Sequence, residues 1–223
     1  MDLRACDVIV PCRDEGRALP ALFDRLDQLP AGFSIILVDN GSRDDTAAVA
    51  RARGARVVQE GRAGYGSAVH AGVQAATAPL VAVIDGDGSL DPADLVGLRD
   101  RVAAGATMAV GCRRPVSGGV WPWHARAGTK LVAWWLRQRV DAQVHDIGPI
   151  RVCRRQDLLD LGVADRRFGY PFELMVKAVA AGWRIEEVDV AYGPRADGTR
   201  SKVSGSLVGT SRAIRDFARV ARA

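Results

Sequence analysis

Residues 81–92 read VAVIDGDGSLDP, and the placement of the acids in this stretch decides how the rest of the chain is read. Val81 to Ile84 is a short β-branched run of the kind that forms a strand buried on both faces. It ends on Asp85-Gly86-Asp87-Gly88-Ser89, so two carboxylates stand one residue apart where the chain leaves the sheet. Like charges this close raise each other's pKa unless a cation lies between them. Carboxylate and hydroxyl oxygens suit Mg²⁺ or Mn²⁺, which one or two carboxylates hold while substrate phosphates and water complete the shell. The metal candidates are Asp85, Asp87 and Ser89. Gly86 and Gly88 leave room for a bulky ligand. Taken alone the pattern is also that of a polar turn.

Working outward, strands and helices alternate. Strands are expected at Asp7–Val10, Ser34–Val38, Val57–Gln59, Leu80–Ile84 and Met108–Cys112. Helices are expected at Leu19–Leu29, from Ser42 to about Arg53, at Gly66–Ala76, and after Asp91-Pro92. Ser42 with Asp45 reads as a capping box, and Asp91 as an N-cap with Pro92 in the first turn. Such alternation with short connections gives right-handed βαβ units and a mostly parallel sheet with helices on both faces. Ligands bind at the carboxyl ends of strands in sheets of this kind. The clusters Arg13-Asp14-Glu15, Asp39-Asn40 and Asp85-Gly86-Asp87 all fall on that edge, which predicts a site there. After Cys112 the alternation breaks, with further strands at Ile150–Cys153 and Ile185–Val190 around a helix at Phe172–Ala181. One domain with two lobes is expected, 1–112 for the donor and 113–223 for the acceptor.

Composition narrows the class. At 223 residues, 48% hydrophobic and 26% charged, the chain is expected to fold as an ordinary globular domain. Cys6, Cys12, Cys112 and Cys153 form no C-x-x-C pair, which argues against a zinc site or a disulfide framework. No signal peptide and no spanning apolar run are visible, and a cytoplasmic location is expected. The net charge of +5 sits at the end of the chain. There Arg195, Arg200, Lys202, Arg212, Arg215, Arg219 and Arg222 face only Asp197 and Asp216. Such an end suits phosphate, an anionic membrane or a solvated helix face. No aromatic or recognition-helix context makes it a nucleic-acid surface.

Gly61-Arg62-Ala63-Gly64-Tyr65-Gly66-Ser67 is a glycine-rich loop entering a helix, able to aim backbone N–H groups at phosphate. It matches neither G-x-x-x-x-G-K-[ST] nor G-x-G-x-x-G, so P-loop NTPases and dinucleotide dehydrogenases lose ground. His70 reads as an ordinary helix residue, whereas His145 abuts Asp146. Trp121, Trp123, Trp134 and Trp135 crowd one stretch containing KLVAWWLRQR. Leu207, Ile214, Phe217 and Ala221 form an apolar stripe near the basic end. Both segments suit a water–lipid boundary or packing on the protein itself.

Together these motifs resemble family 2 glycosyltransferases with the GT-A fold, and within them the dolichyl- and polyprenyl-phosphate sugar transferases. VIVPCRDEG is similar to that family's V-x-P-x-x-N-E, with Asp14 in place of Asn. ILVDNGSRDDT is similar to V-D-D-x-S-x-D-x-T, GRAGYGSAVHAG to the glycine loop, and DGDGSLDP to the metal motif. FGYPFELMVKAVAAGWRIEEVDV and GTRSKVSG resemble the late F-E and G-x-S-K motifs. The resemblance implies that Pro11, Glu15 and Asp39 line the nucleoside pocket, with Arg62 and Gly64 also on the donor. Asp85 meets the sugar, ribose or metal, Asp87 and Ser89 the metal, and Arg200, Ser201 and Lys202 phosphate. Asp146, in HDIGPIR, falls near the reacting centre, although Gly148-Pro149-Ile150 replaces the usual Ser-Gly-Phe.

The implied activity is inverting, metal-dependent sugar transfer from a UDP- or GDP-sugar to a polyprenyl phosphate, at the inner face of the membrane. A soluble hydroxyl acceptor, with Asp146 as its base, is the alternative. A pyrophosphorylase lacks its N-terminal loop here, and a non-catalytic nucleotide-binding module sits poorly with intact Asp85, Asp87 and Asp146.

Overall fold

The computed structural model describes residues 5–121, 126–130, 133–134 and 144–196. Arg200, Ser201, Lys202, Trp123, Trp135 and the C-terminal apolar stripe lie outside the described residues. Seven strands form one sheet: β1 (Cys6–Cys12), β2 (Phe33–Asp39), β3 (Arg56–Gln59), β4 (Leu80–Val83), β5 (Met108–Pro115), β6 (Arg151–Arg154) and β7 (Ile185–Tyr192). Their order is β3-β2-β1-β4-β6-β5-β7. All pairings are parallel except those of β6, which runs antiparallel to both β4 and β5. Helices include α1 (Leu19–Leu26), α2 (Thr46–Ala52), α3 (Tyr65–Ala75), α4 (Asp94–Ala103), α5 (Arg155–Asp160) and α6 (Tyr170–Ala180), and residues 126–130 and 133–134 are also helical.

The expected mostly parallel sheet with helices on both faces is what forms. Strand residues alternate between two cores. Val8, Val10, Ala82 and Ile84 pack with Leu19, Leu22, Leu95 and Leu98 on one face. Ile9, Val81 and Val83 pack with Val69, Val73, Leu174 and Met175 on the other. α1 buries Leu19, Leu22, Phe23 and Leu26, the one-sided spacing of an amphipathic helix.

Two helix starts differ from expectation because the presumed caps are used in turns. The Ser42 N–H donates to Asp39 Oδ1 and its Oγ accepts from the Asp14 N–H, while α2 begins only at Thr46. Asp91 Oδ1 accepts the Ala93 N–H, and α4 starts at Asp94. Helix α5 directly continues β6 and was hidden from the alternation by its six-residue length.

The site is positioned by the way β1 parts from β4. β1 pairs with β2 to the end, Cys12 opposite Asp39, but with β4 only as far as Ile9 opposite Val83. The Ile84 N–H donates to Ile9 O and the Asn40 N–H to Cys12 O. Peptide groups alternate sides along a strand, so Pro11 falls where a donor would have faced β4 beyond the last rung. It therefore removes no ladder bond from a central strand. Strand order reverses between β1 and β4, and in open α/β sheets that is where the ligand crevice opens.

Candidate active site

At this crevice the chain leaving β4 supplies Asp85, Asp87 and Ser89, and the chain leaving β1 supplies Glu15. Gly86 is what lets them meet: a Cβ there would lie 2.5 Å from Glu15 Oε2 and against Cys12 Sγ. The Asp85 carboxyl is pushed up to about 7, first by burial and then by the charges of Asp87 and Glu15, with Arg195 and Arg151 pulling the other way. Its Oδ1 is sealed from solvent without a hydrogen-bond partner among the described residues.

Asp87 is 7% exposed. Its Oδ1 accepts from the Ser89 N–H at 3.0 Å and the Ser89 hydroxyl at 2.6 Å. Its Oδ2 lies 2.5 Å from Arg195 Nε. The segment carrying Arg195 is fastened to the same turn, Gly193 N–H to Ser89 O at 2.9 Å and Ala196 N–H to Asp87 O at 3.0 Å. The cation beside the acidic pair is thus an arginine from the far end of the described chain.

The neighbouring turn carries Asp39 and Asn40, both buried. Asn40 was grouped with Asp39 in the sequence but not singled out, and it is the hub of the glycine loop. Its Nδ2 donates to Glu60 O at 2.9 Å and Arg62 O at 2.8 Å, and its Oδ1 accepts the Gly64 N–H at 2.8 Å. Gly64 has φ 147°, and a Cβ there would run into Arg166 O. The N–H groups of Gly66 and Ser67 donate to the carbonyls of Arg167 and Arg166. The N–H groups of Gly64, Gly66 and Ser67 are therefore used inside the protein, which narrows the expectation that the loop offers its N–H groups to phosphate. Arg62 lies exposed, its N–H held by Glu60 Oε1 at 2.6 Å.

Asp14, where the motif it resembles has Asn, has φ 52°. Asn and Asp are the two non-glycine residues that most readily accept a left-handed backbone, so the exchange preserves the turn.

Asp146 is 2% exposed and clasped by Arg113. Its Oδ2 accepts the Arg113 N–H at 3.0 Å and Nε–H at 2.8 Å, and its Oδ1 accepts from Nη2 at 2.8 Å. The Asp146 N–H donates to Glu187 Oε1, whose other oxygen meets His145 Nδ1 at 2.8 Å. The Arg113 guanidinium stacks 4.0 Å over the Trp121 ring and 5.5 Å from that of Tyr192. Burial works against the Arg113 charge, but the Asp146 hydrogen bonds outweigh it and hold the group above its ordinary value, with the Asp85 charge adding in the same direction. With three hydrogen bonds already on its oxygens, Asp146 is engaged as the anchor of Arg113, and this argues against the general-base role expected of it.

The structure thus gathers Pro11, Glu15, Asp39, Asp85, Asp87 and Ser89 along one edge, with Gly64 bracing it and Asp146 on the β5–β6 side. Sequence reading did not single out Arg113 or Arg151, and it named Arg195 only within the basic end and Asn40 only beside Asp39. Arg113 directly follows the expected strand end at Cys112, so the edge rule that found Asp39 could have found it. Among the described residues no three His, Cys, Asp or Glu side chains converge as a ready metal cage. Hard carboxylate oxygens beside an arginine fit instead an ion shared with an anionic ligand.

A profile of Glycosyl transferase family 2 matches residues 7–156. An uncharacterized glycosyltransferase of Mycobacterium tuberculosis is 57% identical over 216 residues, covering 97% of both chains. Polyprenol monophosphomannose synthase of Mycolicibacterium smegmatis is 32% identical over 218 residues, covering 90% of this chain and 82% of its own. Among solved structures, glucosyl-3-phosphoglycerate synthase of Mycobacterium tuberculosis, in complex with Mn²⁺, UDP and glucosyl-3-phosphoglycerate, aligns with a TM-score of 0.75 at 25% identity. That alignment covers 97% of this chain and 80% of the other. The sheet is that of the GT-A glycosyltransferases, and the chain belongs to glycosyl transferase family 2.

Proposed function

We propose that the protein transfers a sugar, with inversion, from a nucleotide-sugar donor to a polyprenyl-type phosphate, using Mg²⁺ or Mn²⁺. The observation that carries the donor half is the Asp85–Asp87 pair at the switch point, with the Glu15 charge felt at Asp85 and Arg195 ion-paired to Asp87. Asp39 and Pro11 flank the crevice where the nucleoside would lie. Asp85 and Asp87 would hold the ion, with Ser89 fixing the Asp87 carboxylate. Bound there, a divalent ion supplies Lewis-acid stabilisation of the departing nucleoside diphosphate. Arg195, already beside these carboxylates, adds positive charge to the same leaving group.

The acceptor oxygen attacks the anomeric carbon as its bond to the diphosphate breaks. A sugar hydroxyl would need a base at that point, and the oxygens of Asp146 are taken by Arg113. A phosphate monoester, with a second pKa of about 6, is already ionised at neutral pH and needs a cation to position it. Arg113, rigidly held and stacked on Trp121, is such a cation. The 32% identity to a polyprenol monophosphomannose synthase supports this acceptor. The likeness to glucosyl-3-phosphoglycerate synthase and the Gly148-Pro149-Ile150 departure favour the second reading, a soluble acceptor.

Residues 1–112 form the donor lobe and the rest the acceptor lobe in this proposal. Trp134 and Val116, 51% and 59% exposed, would face the cytoplasmic membrane surface from the acceptor side.

Nucleoside diphosphate release from a panel of UDP- and GDP-sugars, with Mn²⁺ or Mg²⁺, tests both halves. Release that requires a short polyprenyl phosphate and falls at least about 100-fold in Asp87→Ala is expected. Release indifferent to the lipid but stimulated by phosphoglyceric acid would move the assignment to a soluble acceptor. No release with any donor would overturn the transferase reading.

A further inference from the structure

Behind the acidic pair lies a charge that the donor reading leaves unused. Arg151 is 3% exposed and sits on β6 opposite Val83 of β4. Cross-strand partners point to one face of a sheet, so Arg151 lies diagonal to Asp85, two residues beyond Val83. Tyr65, the first residue of α3, packs on that same face with Val83, Val110 and Cys153. Asp85, Arg151 and Tyr65 are close enough to feel one another's charge. Asp85 Oδ1, the Tyr65 hydroxyl, and Arg151 Nε and Nη2 are all sealed from solvent, and beyond the approach of the Tyr65 hydroxyl to the Arg151 guanidinium no bond of good hydrogen-bond geometry satisfies them among the described residues.

Leaving a buried donor open costs about 1–3 kcal/mol, and a buried guanidinium is costlier still. A set of such groups clustered against a functional carboxylate calls for a reason beyond packing. The two arginines near Asp85 also differ in kind. Arg195 lies on a loop fastened to the Asp87 turn, where an incoming diphosphate can take over its charge. Arg151 is built into the middle of the sheet and stays.

We propose that Arg151 and Tyr65 are positioning residues for Asp85. From inside the sheet the fixed guanidinium balances the cluster of Asp85, Asp87 and Glu15 and draws one carboxylate oxygen inward, and the Tyr65 hydroxyl limits its rotation. The other oxygen is thereby presented to the donor. This rests on the donor reading above, and it makes a prediction opposite in sign to a bare field effect. Deleting a nearby positive charge should by itself tighten cation binding, whereas losing a positioning group should weaken it.

The test is calorimetric titration of Mn²⁺ with UDP or GDP into the wild type, Arg151→Met, Arg151→Lys and Tyr65→Phe, each with its melting temperature. Arg151→Met is expected to weaken binding at least about tenfold, with substantial rescue in Arg151→Lys. Tyr65→Phe is expected to weaken it about threefold with little change in melting temperature, since the hydroxyl makes no well-formed hydrogen bond. If Arg151→Met does not fold, the other two variants decide. Folded variants that bind as tightly as the wild type, or tighter, would overturn the proposal alone. A wild type that binds neither nucleotide would overturn the donor reading and the proposal with it.

Discussion

Asp85 is where the charge economy of the site is most exposed to experiment. Its folded-state pKa, raised from 3.8 to about 7, means that the fold favours the protonated form. Its contribution to stability is therefore complete below about pH 4 and is lost as pH rises through 7. With metal removed by chelator, unfolding free energy should fall between about pH 4 and pH 7, and Asp85→Asn should flatten that slope. A slope that persists in the variant would assign it to another group. The acids of this cluster were legible in the sequence, because each follows an apolar strand and strand ends share an edge. The arginines were not. Arg195 meets Asp87 across more than a hundred residues, and Arg151 reaches the cluster only because β6 runs antiparallel, an orientation no local pattern encodes.

At the scale of elements, strands were easy to read and helix starts were not. Continuous apolar runs such as VIV and LVAV mark strands buried on both faces. Ser42 and Asp91 look like caps, but their polar atoms close turns that come before the helices. The glycine loop shows the same competition. Its motif suggests N–H groups open to phosphate, and the fold spends three of them, those of Gly64, Gly66 and Ser67, on Asn40 and on the carbonyls of Arg166 and Arg167. Asn40→Ala deletes three hydrogen bonds that tie this loop to the end of β2. At about 1 kcal/mol net each, urea unfolding should show a loss of about 2–4 kcal/mol. An unchanged midpoint would mean that the loop is held by its contacts with residues 165–167 alone.

At the scale of the molecule, the fold class was legible, and so was the gathering of the acidic turns on one edge, because βαβ handedness leaves few ways to arrange such alternation. The exposed apolar side chains lie on the stretch after β5, and among the described residues no helix is long and apolar enough to cross a membrane. On the proposed reading the protein should float with anionic vesicles at low salt. Trp134→Ser or raised salt should weaken that association several-fold. Sedimentation free of vesicles under all conditions would remove the membrane from the account. One further property follows from the reversed strand. β5 and β6 are hydrogen-bonded neighbours, Met108 opposite Cys153 and Val110 opposite Arg151, with the Gly111 N–H on Ile150 O. The connection between β5 and β6 is therefore, topologically, the tip of one very long hairpin stapled at its base. Lengthening such a tip adds little closure entropy and disturbs no strand order. On the proposed reading, the half of the site nearest the acceptor can thus be rewritten, by insertion or exchange of that tip, while the nucleotide half stays in register.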